Sequence, residues 1–379
     1  METIIKKHEK WIDETFQKLD KKLSLTAVRS KDKLPFTSIN GIHDNQAEIR
    51  VGKWTNGFWG GIMWLMYEAT GKQVYRDAAE NSEKLLDVAL KNFKNLDHDV
   101  GFLWHLVSGA NYRLTGNEDS YVRNMFAAAT LMSRYNIDGD YIRAWNAGEI
   151  DLTIIDTLMN LPQLYWASGE VNDPRFARIA MRHMDMAIRD HIREDGSINH
   201  IVKHSVETPG VVGIPNGQGY LPTSCWSRGL AWAVYGSVLS YIHTKKEDYL
   251  EAAKKTADRF IAYVKANDYL PLSDFEAPKE PVYYDSSASM CAACGILELA
   301  KYVPDEAKYY TEEAIKMLQA ADEKFCNYEL DEDSIVQMGS VRYPREESFK
   351  IGVHIPLIYG DFFFVEAILK LKGREFLIW

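Results

Sequence analysis

An all-α (α/α)6 barrel is the fold this sequence predicts, and three observations predict it. Apolar residues recur at three- and four-residue intervals along most of the chain, which is the period of helix. Helices rich in small and aromatic residues alternate with more charged helices, joined by short polar turns. The two kinds come in equal number, six of each. Segments with strand-like alternation are few and short.

The elements follow in order. Residues 4–23 form an amphipathic segment that reads as an outer helix. The first small-and-aromatic helix spans 57–70 (GFWGGIMWLMYEAT), Gly71 makes the turn, and Tyr75 opens the charged partner. The second spans 101–115, followed by Gly116 and Tyr121. The third spans 152–168, followed by Gly169 and Phe176. The fourth spans 226–243, with Lys245 and Tyr249, and the fifth 286–302, with Pro304 and Tyr309. The last apolar helix is 357–371. Helices apolar nearly all round belong inside, and helices with one apolar stripe belong outside. Six such hairpins close into a toroid, although an open solenoid would also satisfy the periodicity. Two features favour closure. The last helix is apolar and can pair with the N-terminal outer helix. The helix starts at 57, 101, 152, 226, 286 and 357 are unevenly spaced, whereas solenoid repeats keep a fixed period. No Pro/Gly/Ser linker interrupts the pattern, so residues 1–379 read as a single catalytic domain.

Composition excludes several function classes. The 379 residues carry 44 Lys and Arg against 54 Asp and Glu, a net charge of −10. Charged residues make up 26% and hydrophobic ones 46%, too apolar for a disordered chain. An acidic chain without a basic face does not bind nucleic acid. It still accommodates a small anionic substrate, which needs only a local positive pocket. Residues 1–14 mix charge with apolar residues and lack an uncharged h-region, so no secretory signal is expected and the cytoplasm fits. The longest uncharged apolar-rich run, 229–242, falls short of the roughly 20 residues that span a bilayer, so no membrane segment is expected. Cys225, Cys291, Cys294 and Cys326 are too few for a disulfide framework. Cys291 and Cys294 form a C-x-x-C inside an apolar helical stretch without a second pair, and read as buried core thiols rather than a zinc site. No dinucleotide, Walker, H-E-x-x-H or G-x-S-x-G motif occurs, so no cofactor or metal is expected. His98 and His105, seven apart, match no metal spacing.

The unusual residues gather just before the inner helices. They include Trp54-Thr55-Asn56, Leu96-Asp97-His98-Asp99, Arg143-Ala144-Trp145-Asn146, Asn199-His200, the 215–220 segment PNGQGY and residues 345–354. A toroid brings such segments to one mouth, where polar and aromatic residues make a saccharide pocket. Asp156 sits inside an apolar run, IIDTLMNL, where a carboxylate must be paired or functional. Asp151 already offers a helix N-cap there, which weakens a capping role for Asp156. Asp99, just before Gly101, reads equally as an N-cap or as catalytic. Asp285, before Ser286, reads as a cap. Asp361 divides evenly between structure and pairing with a rim cation. Arg228 and Trp232 stand four apart on one helical face, either to bind a carboxylate or to pack as a cation–π pair. Ser348-Phe349-Lys350 offers a hydroxyl and a cation in a loop.

Several long stretches, taken in order, resemble the unsaturated glucuronyl hydrolases of glycoside hydrolase family 88. They are WTNGFWGG (54–61), HDVGF (98–102), IIDTLMNLPQLYWAS (154–168), GQGY to WSRGLAW (217–232), DSSAS to AACGILEL (285–299) and LIYGDFFFVEA (357–367). The resemblance implies an (α/α)6 barrel that acts on a small anionic unsaturated disaccharide left by polysaccharide lyases. It implies protonation of C4 and addition of water at C5 of the 4,5-unsaturated uronic acid, after which the glycosidic bond is lost. Carried over by motif, Asp156 is the general acid and then the base, and Asp99 the second essential carboxylate. His200, Gln218, Thr223, Arg228 and Trp232 correspond to residues contacting the unsaturated uronate, and Trp54 and Trp145 to stacking residues. Ser348 and Lys350 resemble a segment that receives a sulfate in some members. Arg345, three residues earlier, departs from the small hydroxyl residue expected there. The rival readings are an unsaturated rhamnogalacturonyl hydrolase on pectin fragments, a sugar epimerase on the same barrel, and a non-catalytic helical binding scaffold. HDVGF and the Ser-x-Lys loop favour the glucuronyl reading. An epimerase would need facing histidines, and only His200 is well placed. Convergence of Asp99 and Asp156 in one pocket would disfavour the scaffold.

Overall fold

The computed structural model describes residues 1–93, 96–374 and 376–379. Twelve long helices among the described residues alternate between an outer and an inner ring. The outer helices are α1 (Glu9–Arg29), α3 (Gln73–Leu90), α5 (Glu118–Ser133), α7 (Pro174–Asp190), α9 (Glu247–Lys265) and α11 (Ala307–Phe325). The inner helices are α2 (Gly57–Thr70), α4 (Gly101–Gly109, continuing as Ala110–Thr115), α6 (Leu161–Val171), α8 (Ser227–Thr244), α10 (Ser286–Leu299) and α12 (Ile358–Leu371). Every residue of α10 is buried, and α2, α8 and α12 are buried over most of their lengths. Outer helices bury one stripe, as α7 does with Phe176, Ala180, His183, Met184 and Ala187.

The ring closes. Helix α12 packs against α2 and α1, and the short helix Glu2–Lys7 ahead of α1 packs against α11. The indole of Trp11 donates to Asp322 at 2.8 Å, and Lys372 meets Asp13 at 2.5 Å. These contacts join residues more than 300 positions apart and exclude an open solenoid.

Gly71 and Gly116 end α2 and α4 in the left-handed conformation, at φ +70° and +73°, where a side chain would be strained. The third hairpin departs from expectation in two ways. Its turn lies at Asn172 (φ +51°) and not at Gly169, which stays inside α6. Residues 152–160 are not the start of that helix. Leu152–Ile154 is a strand and Ile155–Met159 a 3-10 turn, and α6 begins only at Leu161 with Pro162 in its first turn. The β-branched run Thr153-Ile154-Ile155 favours extended backbone, and Pro162 suits a helix start. The strand pairs antiparallel with Ile201–His204, which pairs in turn with Val211–Gly213.

Cys225, Cys291 and Cys294 are buried, Cys326 is half-buried, and all four are free thiols. Among the described residues no helix is long and apolar enough to cross a membrane.

Candidate active site

The inserted strand carries Asp156 to the barrel mouth. Ile154 pairs with Ile201, and the Ile155 N–H donates to the His200 carbonyl at 3.1 Å. One residue further on the chain turns, and Asp156 Oδ1 comes to 3.5 Å from His200 Nε2. His200 Nδ1 accepts the Gln218 backbone N–H at 3.0 Å, so in the neutral ring the proton sits on Nε2, facing the carboxylate. A Cβ at Gly217 would strike the His200 ring, which explains the glycine there. The His200 ring also packs on Trp226, 4.2 Å between centroids. Among the described residues, Asp156 Oδ1 and His200 Nε2 are both buried without a hydrogen-bond partner. Buried polar groups are nearly always satisfied, so two unsatisfied atoms facing each other mark a place for a substrate.

Asp99 comes to the same place from the next hairpin. The Thr157 hydroxyl, one residue past Asp156, lies 3.1 Å from His98 Nδ1, and Asp99 Oδ1 lies 3.4 Å from that nitrogen. Asn160 ties the two segments together, accepting the Phe102 N–H at 2.9 Å and donating to the Asp156 carbonyl at 3.4 Å. Gly101 is needed for this approach, since a Cβ would come 2.6 Å from Asn160 Oδ1. Burial pushes the Asp99 carboxyl well above the usual carboxylate range, and the charges of Asp97 and Asp156 push the same way. Asp99 does not cap α4: Val100 holds the cap position, without a side-chain bond. Asp97, His98 and Asp99 bring metal-ligating atom types within 4.8 Å of one another. Asp97 Oδ1 already accepts the Asp99 N–H at 3.0 Å and His98 Nδ1 faces Thr157, so the trio reads as part of the carboxylate pocket.

Beside the carboxylates lies a cleft of about 860 Å³, whose lining includes Trp54, Trp145, Gln218, Ser348 and Tyr359. The Trp54 ring stacks on Tyr359 at 4.9 Å and 30°. Trp145 packs its edge on His98, 5.9 Å between centroids. Among the described residues the lining holds Arg50, Lys53 and Arg342 and no carboxylate. Lys53 sits over the Phe36 ring at 2.9 Å, and burial pulls its pKa down to about 8. Sequence reasoning missed these three cations and Tyr359. The one available signal was Lys53 standing next to Trp54.

Other expected residues stand elsewhere. Arg228 is not a free receptor for a carboxylate. Its side chain is 1% exposed, pairs with Asp285, and donates to the Ser340 and Val341 carbonyls at 2.8 and 2.7 Å. It also lies over Trp226, 4.5 Å from the centroid, and over Tyr359 at 5.1 Å, so its cation–π partners are these rings and not the expected Trp232. Asp285 therefore does more than precede a helix: its carboxylate neutralises Arg228 and makes no capping bond. Trp232 is buried one layer below the cleft, 6.4 Å from Trp54 and 5.4 Å from Phe102. Thr223 lies on an exposed turn outside the cleft lining, beside Ser224, whose hydroxyl anchors that turn to Asp274 at 2.6 Å. Lys350 is exposed and pairs with Glu347 at 2.7 Å. Arg345 donates to the Gly217 carbonyl at 2.8 Å and so braces the loop over His200. Asp361 is structural, accepting the Ile335 and Val336 N–H groups at 3.0 and 2.6 Å. Asp151 caps no helix, because a strand follows it; it faces Lys203 at 3.6 Å.

Two carboxyl groups beside an aromatic-walled cleft at a barrel mouth are the equipment of a glycoside hydrolase, and this protein is one. Residues 38–239 match the model of Glycosyl Hydrolase Family 88. The chain is 35% identical over 332 residues to the unsaturated glucuronyl hydrolase of Bacillus sp. strain GL1, covering 84% of this chain and 86% of that one. It is 28% identical to the unsaturated chondroitin disaccharide hydrolase of Streptococcus pneumoniae, over 97% of this chain and 93% of that one. The solved structure of the Bacillus enzyme, responsible for the degradation of glycosaminoglycan, superposes with a TM-score of 0.86 at 32% identity, covering 94% of this chain and 96% of that one. The chain belongs to glycosyl hydrolase family 88.

Proposed function

We propose that the protein releases the 4,5-unsaturated uronic acid from the non-reducing end of glycosaminoglycan disaccharides made by polysaccharide lyases. The observation that carries the reading is the facing pair of unsatisfied buried atoms, Asp156 Oδ1 and His200 Nε2, beside the cleft. The protonated Asp156 carboxyl gives its proton to C4 of the enol ether. The resulting carboxylate takes a proton from water as the water oxygen bonds C5. The hemiketal so formed collapses and the glycosidic bond breaks. His200 orients Asp156 through its Nε2 proton. Asp99 positions the sugar, and burial together with the charges of Asp97 and Asp156 keeps its own carboxyl protonated to higher pH than a free one. Trp54 and Trp145 stack on the sugar rings, Gln218 contacts the uronate, and Ser348 faces the neighbouring hexosamine. Arg228 acts on the uronate through the cleft wall that it holds.

The relatives support this substrate. One solved structure at a TM-score of 0.86 carries dGlcA-Glc-Rha-Glc, and another, 25% identical, carries dGlcA-GalNAc6S. Residues 1–379 act as one catalytic domain on this reading, supported by a hydrophobic cluster that runs from Ile12 to Trp379. In the cytoplasm, the disaccharide would be imported before cleavage. The test follows the ultraviolet absorbance of the conjugated double bond. Loss with unsaturated chondroitin or hyaluronan disaccharides is expected. No loss with these, but loss with unsaturated galacturonyl-rhamnose, would move the protein to pectin fragments.

A further inference from the structure

The chemistry above uses the mouth of the barrel. The other end is closed by the chain itself. After α12 the backbone turns back, and the segment Phe376–Trp379 enters the ring where α2, α4 and α12 finish. Arg374 donates to the Ala69 carbonyl at 3.0 Å. Arg113, near the end of α4, donates to the Leu377 carbonyl at 2.8 Å and also to Ile378. Arg113 is enclosed, and burial pulls its pKa down to about 10. A guanidinium kept at that disadvantage, with its donors on this segment's carbonyls, holds the segment in one place.

The grip delivers one side chain into the barrel axis. Trp379 is 2% exposed, and its indole N–H donates to Glu366 Oε1 at 3.1 Å. Its ring lies parallel to Phe363 (6.0 Å, 9°) and meets Phe102 edge-on (5.9 Å, 83°). On its other sides Phe102 packs against Trp54 (5.4 Å), Phe58 (5.3 Å) and Trp232 (5.4 Å). One ring thus separates Trp379 from the tryptophan that lines the substrate cleft.

Phe102 also stands three residues after Asp99, in a stretch that winds unusually. Gly101–Gly109 forms wide i→i+5 turns, not ordinary α-helical ones. Such turns are rare, and their position depends on what packs against them. We propose that Trp379 is a positioning residue. It wedges Phe102 from below, and through Phe102 it holds Asp99 and the Trp54 ring in register with Asp156. The proposal rests on the reading of Asp99 and Trp54 given above.

The experiment compares Trp379→Ala and Trp379→Phe in the full chain, reading kcat and KM on an unsaturated chondroitin disaccharide together with Tm. Glu366 keeps the Tyr235 hydroxyl and Lys370 (3.3 Å) as partners when the indole is gone, so Trp379→Ala is expected to fold. Misplacement of catalytic groups by about 1 Å lowers rates by up to about 100-fold. Trp379→Ala is therefore expected to lose about tenfold or more in kcat, at temperatures well below its Tm. Trp379→Phe should retain most of the wild-type kcat, and indole added to Trp379→Ala should restore part of the loss. If Trp379→Ala does not fold, Trp379→Leu against Trp379→Phe gives the same contrast. A folded Ala or Leu variant with wild-type kcat and KM would overturn the proposal. Indole that raises Tm without raising kcat would overturn it too, as would Phe failing as badly as Leu. A wild-type chain without turnover of any unsaturated disaccharide would instead overturn the reading of the site, and this proposal with it.

Discussion

Neutralising Asp285 should damage both the stability of the barrel and the shape of its cleft. Arg228 and Asp285 are 1% and 0% exposed, and among the described residues the guanidinium has no other carboxylate within salt-bridge distance. Asp285→Asn preserves shape but leaves the guanidinium charge uncompensated. Breaking a buried pair from one side costs about 3–5 kcal/mol. For a chain of 379 residues the unfolding entropy is about 0.8 kcal/mol/K, so Tm should fall by about 4–6 °C. The double variant Arg228→Met/Asp285→Asn removes the stranded charge and should recover a large part of that loss, because replacing both partners is milder than removing one. Activity should not recover with it. Arg228 holds the Ser340 and Val341 carbonyls, and Gln218 Nε2 donates to the same Val341 carbonyl at 2.9 Å. Without Arg228 this wall loosens, and KM for the unsaturated disaccharide should rise. Thermal unfolding and steady-state kinetics on the three chains separate the two effects. An Asp285→Asn chain with unchanged Tm, or a double variant no more stable than Asp285→Asn alone, would refute the charge-compensation argument.

Asp156→Asn should lower turnover by about 10²–10⁴ while leaving disaccharide binding by calorimetry nearly intact; near-normal turnover would reject the general-acid role. Gly217→Ala should lower kcat/KM by pushing the His200 ring off Asp156, with little change in Tm; unchanged kinetics would show that the ring is free to move. Acid should destabilise the fold. Burial holds the His191 pKa at about 4 against an unfolded value of 6.5. The unfolded chain therefore binds the extra proton, and stability that is full above pH 6.5 is lost as pH falls through the window from 6.5 to 4. This one group amounts to about 3 kcal/mol, and His105 and His183, also held well below 6.5 by burial, add to it. A flat Tm between pH 7 and pH 4.5 would contradict this.

The barrel was legible because its inner helices are apolar on every side, a pattern that survives without any repeated sequence. The expected 57–70 helix coincides with α2. The third hairpin was misread because IIDTLMNL satisfies helical spacing as well as strand spacing, and only pairing with residues 201–203 decides between them. At the site, Asp156 stood out as a carboxylate in an apolar run. Asp99 did not, since an acid ahead of a helix is ordinarily a cap, and only the register of Asn160 and Thr157 shows where it goes. Arg228 shows what local spacing leaves out. Four-residue spacing put it beside Trp232, but nothing local revealed that Asp285, 57 residues on, would neutralise it. Arg50 and Lys53 are near neighbours in sequence, but only the fold brings Arg342 to the same cleft.

The electrostatics of the mouth then follow from where each hairpin delivers its charge. The protein carries a net −10, which by itself would repel an anionic sugar. The cleft reverses this locally, with three cations and no carboxylate among the described residues of its lining. The two acids sit beside it, and burial, with the charges of Asp97 and Asp156, raises Asp99 well above the ordinary range. A pocket so arranged attracts an anion from outside and meets it with two carboxyl groups. Hydration of an enol ether needs both parts: on the proposed reaction the cations draw the uronate in, and Asp156 gives the proton to C4 while Asp99 positions the sugar.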